Sequence, residues 1–243
     1  MLIPKTSPLH NPPASFSRRQ VVILDGIRYA IEMAHIAYER LDTQLQGIAA
    51  SFTNAKPQFD ERATAMLDAW SIVDSAHRMA DLVANLPGLP NSTWKRLFQD
   101  RTREAAELRN CVQHQLGEIE GIISNGGQLW GYLSWAEFKD GKYTGKWLMM
   151  AAGADYVGDR FLFIGPNTLS FPVPNGRIRL NAFGKQVYLG GVRNAMVDAG
   201  VALDGDITGF LKPIGEPPNG SRGADAFSLG YVEMLISCPP PKS

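Results

Sequence analysis

The sequence predicts an α+β protein: an N-terminal antiparallel helical bundle followed by a β-rich C-terminal domain. Three observations predict it. Of 24 glycines, only Gly26, Gly47 and Gly88 precede residue 117, so a residue that weakens helices is concentrated in the second half. Before residue 125 the apolar residues recur at 3/4 spacing, the period of a helix with one buried face. Past Asn125-Gly126-Gly127 the period shortens, and short apolar runs are bounded by glycine, proline and asparagine.

The first helix is predicted over about 17–51. Leu24, Ile27, Ile31, Ala34, Tyr38, Leu41, Leu45 and Ile48 keep an alternating 3/4 spacing throughout it. The second starts after Pro57 and stops near Pro87-Gly88, with Met66, Ala69, Val73, Ala76, Ala80 and Val83 in the same rhythm. The third begins at Asn91-Ser92-Thr93, good capping residues behind Pro90, and runs to about Ser124, weakened late by Gly117 and Gly121. Strands are expected over 128–138, 142–151, 161–164 and 177–180. Ile178 and Leu180 alternate there with Arg177 and Arg179, as on a half-exposed strand. Residues 187–203 read as a further helix despite Gly190-Gly191, 215–222 as a loop, and Cys238-Pro239-Pro240-Pro241 as an extended tail. The division is 1–16 as an N-terminal extension, 17–125 as the helical domain and 126–243 as the β-rich domain with its proline-rich tail.

A chain of 243 residues buries a substantial core in one or two domains. Formal net charge is zero, so no global basic field points to nucleic acid. The local basic run Lys95, Arg96, Arg101, Arg103 and Arg109 is diluted by Asp100, Glu104 and Glu107, and a solvated helix face explains it simply. Cys111 and Cys238 are too few for a disulfide framework. The first fifteen residues hold no continuous apolar stretch of the kind a signal peptide needs, and no run of about 18 apolar residues occurs. A cytoplasmic protein without membrane contact is the expectation.

The chemistry-bearing residues are in Glu107-Leu108-Arg109-Asn110-Cys111-Val112-Gln113-His114 on the third helix. Its apolar stripe runs Ala105, Leu108, Val112, Gln115, Ile119 and Ile122, and Arg109, Asn110 and His114 miss it. At about 100° per residue, Asn110 and His114 lie on one line with Arg109 beside them. Arginine stays charged and fits phosphate oxygens, and histidine moves a proton near neutral pH, a pairing suited to a phosphodiester.

This Arg-Asn-x-x-x-His segment resembles the signature of the HEPN superfamily. In that family a late helix of a bundle carries Arg, a polar residue, and His four to six positions after the Arg. Many members are metal-independent ribonucleases that work as dimers, often as toxins or defence effectors, while others are inactive. The resemblance covers the helical half at most, and it assigns roles only to Arg109, Asn110 and His114. The tyrosine that an adenylylatable toxin subgroup carries two residues after the His is Leu116 here, so control through that position is not implied.

Other constellations carry less. Glu32-x-x-His35 and Asp74-x-x-His77 each place a carboxylate and an imidazole on one helix face, the spacing of di-iron bundles. The matching carboxylate helices are not evident, and boundary histidines held by hydrogen bonds are the simpler reading. Gly141-x-x-x-Gly145-Lys146 is one residue short of a phosphate loop and is followed by Trp147, so it reads as a hairpin turn. No Cys/His spacing suggests zinc. Trp130, Tyr132, Trp135 and Trp147 could stack on bases, although strand alternation favours core packing.

The leading expectation is a metal-independent, cofactor-free endoribonuclease. His114 would serve as base or acid, Arg109 as phosphate stabiliser and Asn110 as the orienting amide. Arg78 and Arg103 are the candidate substrate-binding cations. Around one continuous helix Arg109 and His114 are roughly 140° apart, so a homodimer joining two copies completes such a site more easily. The alternative is a non-catalytic dimeric interaction or ligand-binding protein with a HEPN-like bundle and a protein partner.

Overall fold

The computed structural model describes residues 2–51, 59–88, 92–124, 129–140, 142–151 and 177–212. The expected strand at 161–164, the loop at 215–222, the proline-rich tail and the Asn125-Gly126-Gly127 boundary lie outside them. Among the described residues, five helices and four strands follow in the order α1 (Arg18–Ser51), α2 (Phe59–Ala84), α3 (Thr93–Gln113), α4 (Gln115–Ser124), β1 (Tyr132–Lys139), β2 (Lys142–Ala151), β3 (Ile178–Ala182), β4 (Lys185–Tyr188) and α5 (Leu189–Leu211).

All eight residues of the α1 stripe, Leu24 to Ile48, are buried. Helix α2 lies antiparallel against them. The pairing is fixed near one end by Gln20 Nε2 donating to Pro87 O at 3.2 Å, and near the other by Gln44 Nε2 donating to Glu61 O at 2.7 Å. Between these ends Arg40 pairs with the fully buried Asp68, and Gly26 lets the helix backbone approach the Leu82 side chain. The first 3/4 stripe therefore specifies one face of a real interface.

The third helix is not continuous to Ser124. It stops at Gln113, where His114 caps it with φ −109° and ψ 24°, and α4 starts again at Gln115. The His114 N–H reaches both Asn110 O at 3.3 Å and Cys111 O at 3.1 Å, a tightened last turn of the kind that ends helices. Gly117 and Gly121 lie inside α4 rather than at the break itself. Ser92 occupies the N-cap position as expected, but its hydroxyl donates to Asp206 of α5 at 2.5 Å, beside Trp94 Nε1 at 2.7 Å.

Strands β1 to β4 form one antiparallel sheet in the order β2-β1-β3-β4. Strand β2 occupies the expected 142–151, and the hairpin turn before it begins at Asp140, whose φ is 51°. Leu133, Trp135, Leu148, Met150, Ile178, Leu180 and Val187 are all buried. Trp135 Nε1 donates to Leu45 O of α1 at 2.9 Å, which ties sheet to bundle. A register shift interrupts β1 between Ala136 and Phe138, and the Gln46 amide meets both freed groups there. It accepts from Phe138 N at 2.8 Å and donates to Ala136 O at 3.3 Å.

The helix expected at 187–203 is α5. It starts after β4 and continues to Leu211, packing on α1, α2 and α3 as a further member of the bundle. At Gly200 an added Cβ would sit 2.7 Å from Ile31 Cδ1, so glycine sets the closeness of α5 to α1. Bundle and sheet share one hydrophobic cluster. The N-terminal extension joins it too, through buried Ile3, Leu9 and Phe16, with Ser7 Oγ donating to Asp204 at 2.5 Å. Among the described residues no helix is long and apolar enough to cross a membrane.

Candidate functional site

Helix α3 buries Phe98, Thr102, Ala105 and Leu108, which turns the other side of its last two turns outward. Arg109 follows the last buried residue and is half-buried, whereas Asn110 and His114 are exposed. The i, i+4 spacing that pairs Asn110 with His114 also pairs Arg109 with Gln113, on the adjacent line of the helix. That second line faces α2.

Arg109, Val112 and Gln113 of α3 meet Trp70 and Asp74 of α2 and Trp130, just ahead of β1, around a cavity of about 190 Å³. Arg109 Nε lies 3.5 Å from one oxygen of Asp74, and the other oxygen accepts from Arg78 Nε at 2.5 Å. That hydrogen bond raises the Arg78 pKa above its ordinary value. The two indoles meet edge to face, with centroids 6.3 Å apart and planes at 74°. Trp70 Nε1 donates to Trp130 O at 3.2 Å, which fixes one indole against the other's backbone. Gly131 makes this possible. With φ +78° it turns the chain from Trp130 into β1, and a Cβ there would stand 2.1 Å from Asn181 O.

The sequence-predicted residues are therefore only partly brought together. Arg109 lines the cleft, Arg78 reaches it through Asp74, and Asn110 and His114 stand exposed at the end of α3 without lining it. Arg103 is exposed further back on α3, near Glu107. His114 is the C-cap of α3 and its N–H still reaches Asn110 O, so Asn110 and His114 share one line beside that of Arg109. Among the aromatic candidates Trp135 is core, Tyr132 is exposed and Trp130 lines the cavity, while the Trp147 side chain lies outside the described residues.

No family model, curated protein or solved structure matches the chain.

The di-iron spacing dissolves in three dimensions. Glu32 faces Arg28 at 3.0 Å and His10 at 3.5 Å, His35 faces Glu39 at 3.8 Å, and His77 faces Asp81 at 3.5 Å. Asp74 serves the two arginines. Among the described residues no three His, Cys, Asp or Glu side chains group as a metal site would require. Sequence reasoning missed Gln113 and Trp70 as cleft residues. Gln113 was signalled by its i, i+4 relation to Arg109, but nothing local marks Trp70, which reaches the cleft only through helix pairing.

Proposed function

We propose that the protein is a metal-independent ribonuclease of HEPN type. The observation carrying the reading is the placement of a guanidinium in an open cleft at the end of α3, with an exposed amide and imidazole on the next line of the same turns. His114 takes the proton of the RNA 2′-hydroxyl or supplies one to the leaving oxygen. Arg109 stabilises charge developing on the phosphate, and Asn110 orients the imidazole or the phosphate. Arg78 and Arg103 add attraction for the strand. A homodimer apposing two α3 ends brings one copy's His114 to the other's Arg109. The direct test is cleavage of RNA by the purified protein in chelator, beside His114→Ala. Activity that survives His114→Ala unchanged refutes the assignment.

A second reading is favoured by a different observation. Val22, Tyr29, Met33 and Ile36 of α1 are exposed at 61%, 51%, 47% and 55%. At about 100° per residue they share an arc of about 60°, forming a stripe about 21 Å long with the 4/3 spacing of a helix seam. An apolar stripe of this kind suits a non-catalytic dimeric interaction protein. In that reading, Arg109 with Asp74 and Arg78 is a structural ion network. A toxin or defence role belongs to the ribonuclease proposal, and a cytoplasmic location and a protein partner belong to both.

A further inference from the structure

We propose that the cleft between α2 and α3 is a subsite for an unpaired nucleobase, stacked on Trp130 and read along its edge by Gln113. The identity of the polymer rests on the ribonuclease reading; the recognition of a planar heteroaromatic ring rests on the cleft itself.

Trp130 is 45% exposed, a large indole left facing solvent beside a cavity of about 190 Å³. Its edge-to-face contact with Trp70 engages at most one broad face of its ring, and stacking needs only the other. The backbone that carries the indole is also held in advance. Its carbonyl is pinned by Trp70 Nε1, and its direction is set by the positive φ of Gly131. Little backbone rearrangement is then needed when a ring docks, so more of the stacking energy appears as affinity.

The polar side chains around the indoles are Gln113, Arg109 and Asp74, and the Asp74 carboxylate is engaged by Arg109 and Arg78. The Gln113 amide both donates and accepts, as a base edge requires. Arg109 engages Asp74 through Nε, the inner nitrogen of its guanidinium, so its terminal N–H groups suit the phosphate adjoining the stacked base. Val112 supplies the apolar floor. Stacking tolerates any base, so the subsite selects an unpaired nucleotide rather than a sequence. A base inside a duplex cannot reach it.

The experiment uses the full chain and a single-stranded 2′-O-methyl RNA, which lacks the free hydroxyl that cleavage requires, and follows affinity by fluorescence anisotropy of a labelled strand. The strand is expected to bind more tightly than the same strand annealed to its complement. Trp130→Ala should weaken it roughly ten-fold or more, and Trp130→Phe much less. Gln113→Ala, on the exposed side of α3, provides a second variant if Trp130→Ala does not fold, and should also weaken binding. Equal affinity of unmodified protein, Trp130→Ala and Gln113→Ala for the strand overturns the subsite. A mononucleotide binding as tightly as the strand, with the same dependence on Trp130, overturns the polymer and leaves a free nucleotide as the ligand. Binding that depends on Trp130 without cleavage of unmodified RNA sinks the ribonuclease reading alone. Cleavage that depends on His114 with binding indifferent to Trp130 sinks the subsite alone.

Discussion

Arg109 Nε lies 3.5 Å from Asp74 Oδ1, and the same carboxylate holds Arg78 through its second oxygen. One acid on α2 thus orients the motif arginine of α3. The side chains of Arg109 and Asp74 are 23% and 40% exposed, so the pair contributes little to stability, below about 1 kcal/mol. Its value to the ribonuclease reading is positional. Asp74→Ala should leave the thermal midpoint nearly unchanged while lowering kcat about ten-fold, because an undirected guanidinium loses part of its transition-state contact. A large fall in thermal midpoint, with kcat retained, would instead mark the pair as structural.

Cleavage in the proposed scheme starts from the 2′-hydroxyl. Products should carry 2′,3′-cyclic phosphate ends, and DNA should survive because it lacks that hydroxyl. His114→Ala should slow the reaction on the order of 10²–10⁴-fold through loss of proton transfer. Arg109→Lys should also be damaging, since a point charge does not reproduce the planar two-pronged phosphate contact. Linear 3′-phosphate ends formed without a cyclic intermediate would contradict the chemistry.

The exposed stripe on α1 gives the assembly a separate test. Met33→Glu combined with Ile36→Glu places like charges in the seam and leaves the buried face of α1 untouched. If two copies pair through this stripe, light scattering at micromolar concentration should show the unmodified protein as a dimer and the double variant as a monomer. A dimer unaffected by the substitutions places the contact elsewhere, with the α3 ends next in line.

Periodicity made α1 and α2 legible because each buries a regular face against the other, and the β1–β2 hairpin was legible from the turn residues between two apolar runs. The break at His114 was less legible: the apolar spacing of Leu108, Val112 and Ile119 continues across it, and only Gly117 and Gly121 hint at the weakness. Burial of Ile3, Leu9 and Phe16 follows no period at all, since a proline-rich segment packs by tertiary fit. At the site, local spacing located Arg109 and predicted the exposed line of Asn110 and His114. The cleft escaped it because Trp70 and Asp74 of α2, Arg109 of α3 and Trp130 lie in separate segments that meet only when α2 pairs with α3 and Gly131 turns the chain.

Glu107 of α3 and Lys185 of β4 are 2.6 Å apart and join helix to sheet. The Lys185 hydrogen bond holds the Glu107 carboxyl below its usual range, and Glu107 in turn raises Lys185. A depressed carboxyl contributes stability that is complete above its ordinary value and lost as pH falls through the lowered one. A raised ammonium contributes stability that is complete below its ordinary value and lost as pH rises through the raised one. The coupling should therefore be present at pH 7 and absent in strong acid. A double-mutant cycle with Glu107→Gln and Lys185→Met, followed by urea unfolding at both conditions, measures it. Equal coupling at neutral and strongly acidic pH would show that the ion pair is not its source.

Gly131 and Gly184 both have positive φ, +78° and +70°, but only one is sterically enclosed. At Gly184, in the turn between β3 and β4, an added Cβ meets nothing within 4 Å. Gly184→Ala should then cost only the left-handed backbone penalty, about 1–2 kcal/mol. At Gly131 the same methyl would stand 2.1 Å from Asn181 O and 2.7 Å from Ala182 Cβ, so the backbone itself must move. That movement separates β1 from β3 where Tyr132 pairs with Asn181, and it carries Trp130 away from Trp70. Gly131→Ala should therefore destabilise the protein well beyond the Gly184→Ala cost in urea unfolding. It should also weaken binding of the 2′-O-methyl strand under conditions where the variant remains folded. Equal losses of stability for the two alanines would mean that the β1 entrance relaxes freely, and Trp130 would then not be held in advance for a base.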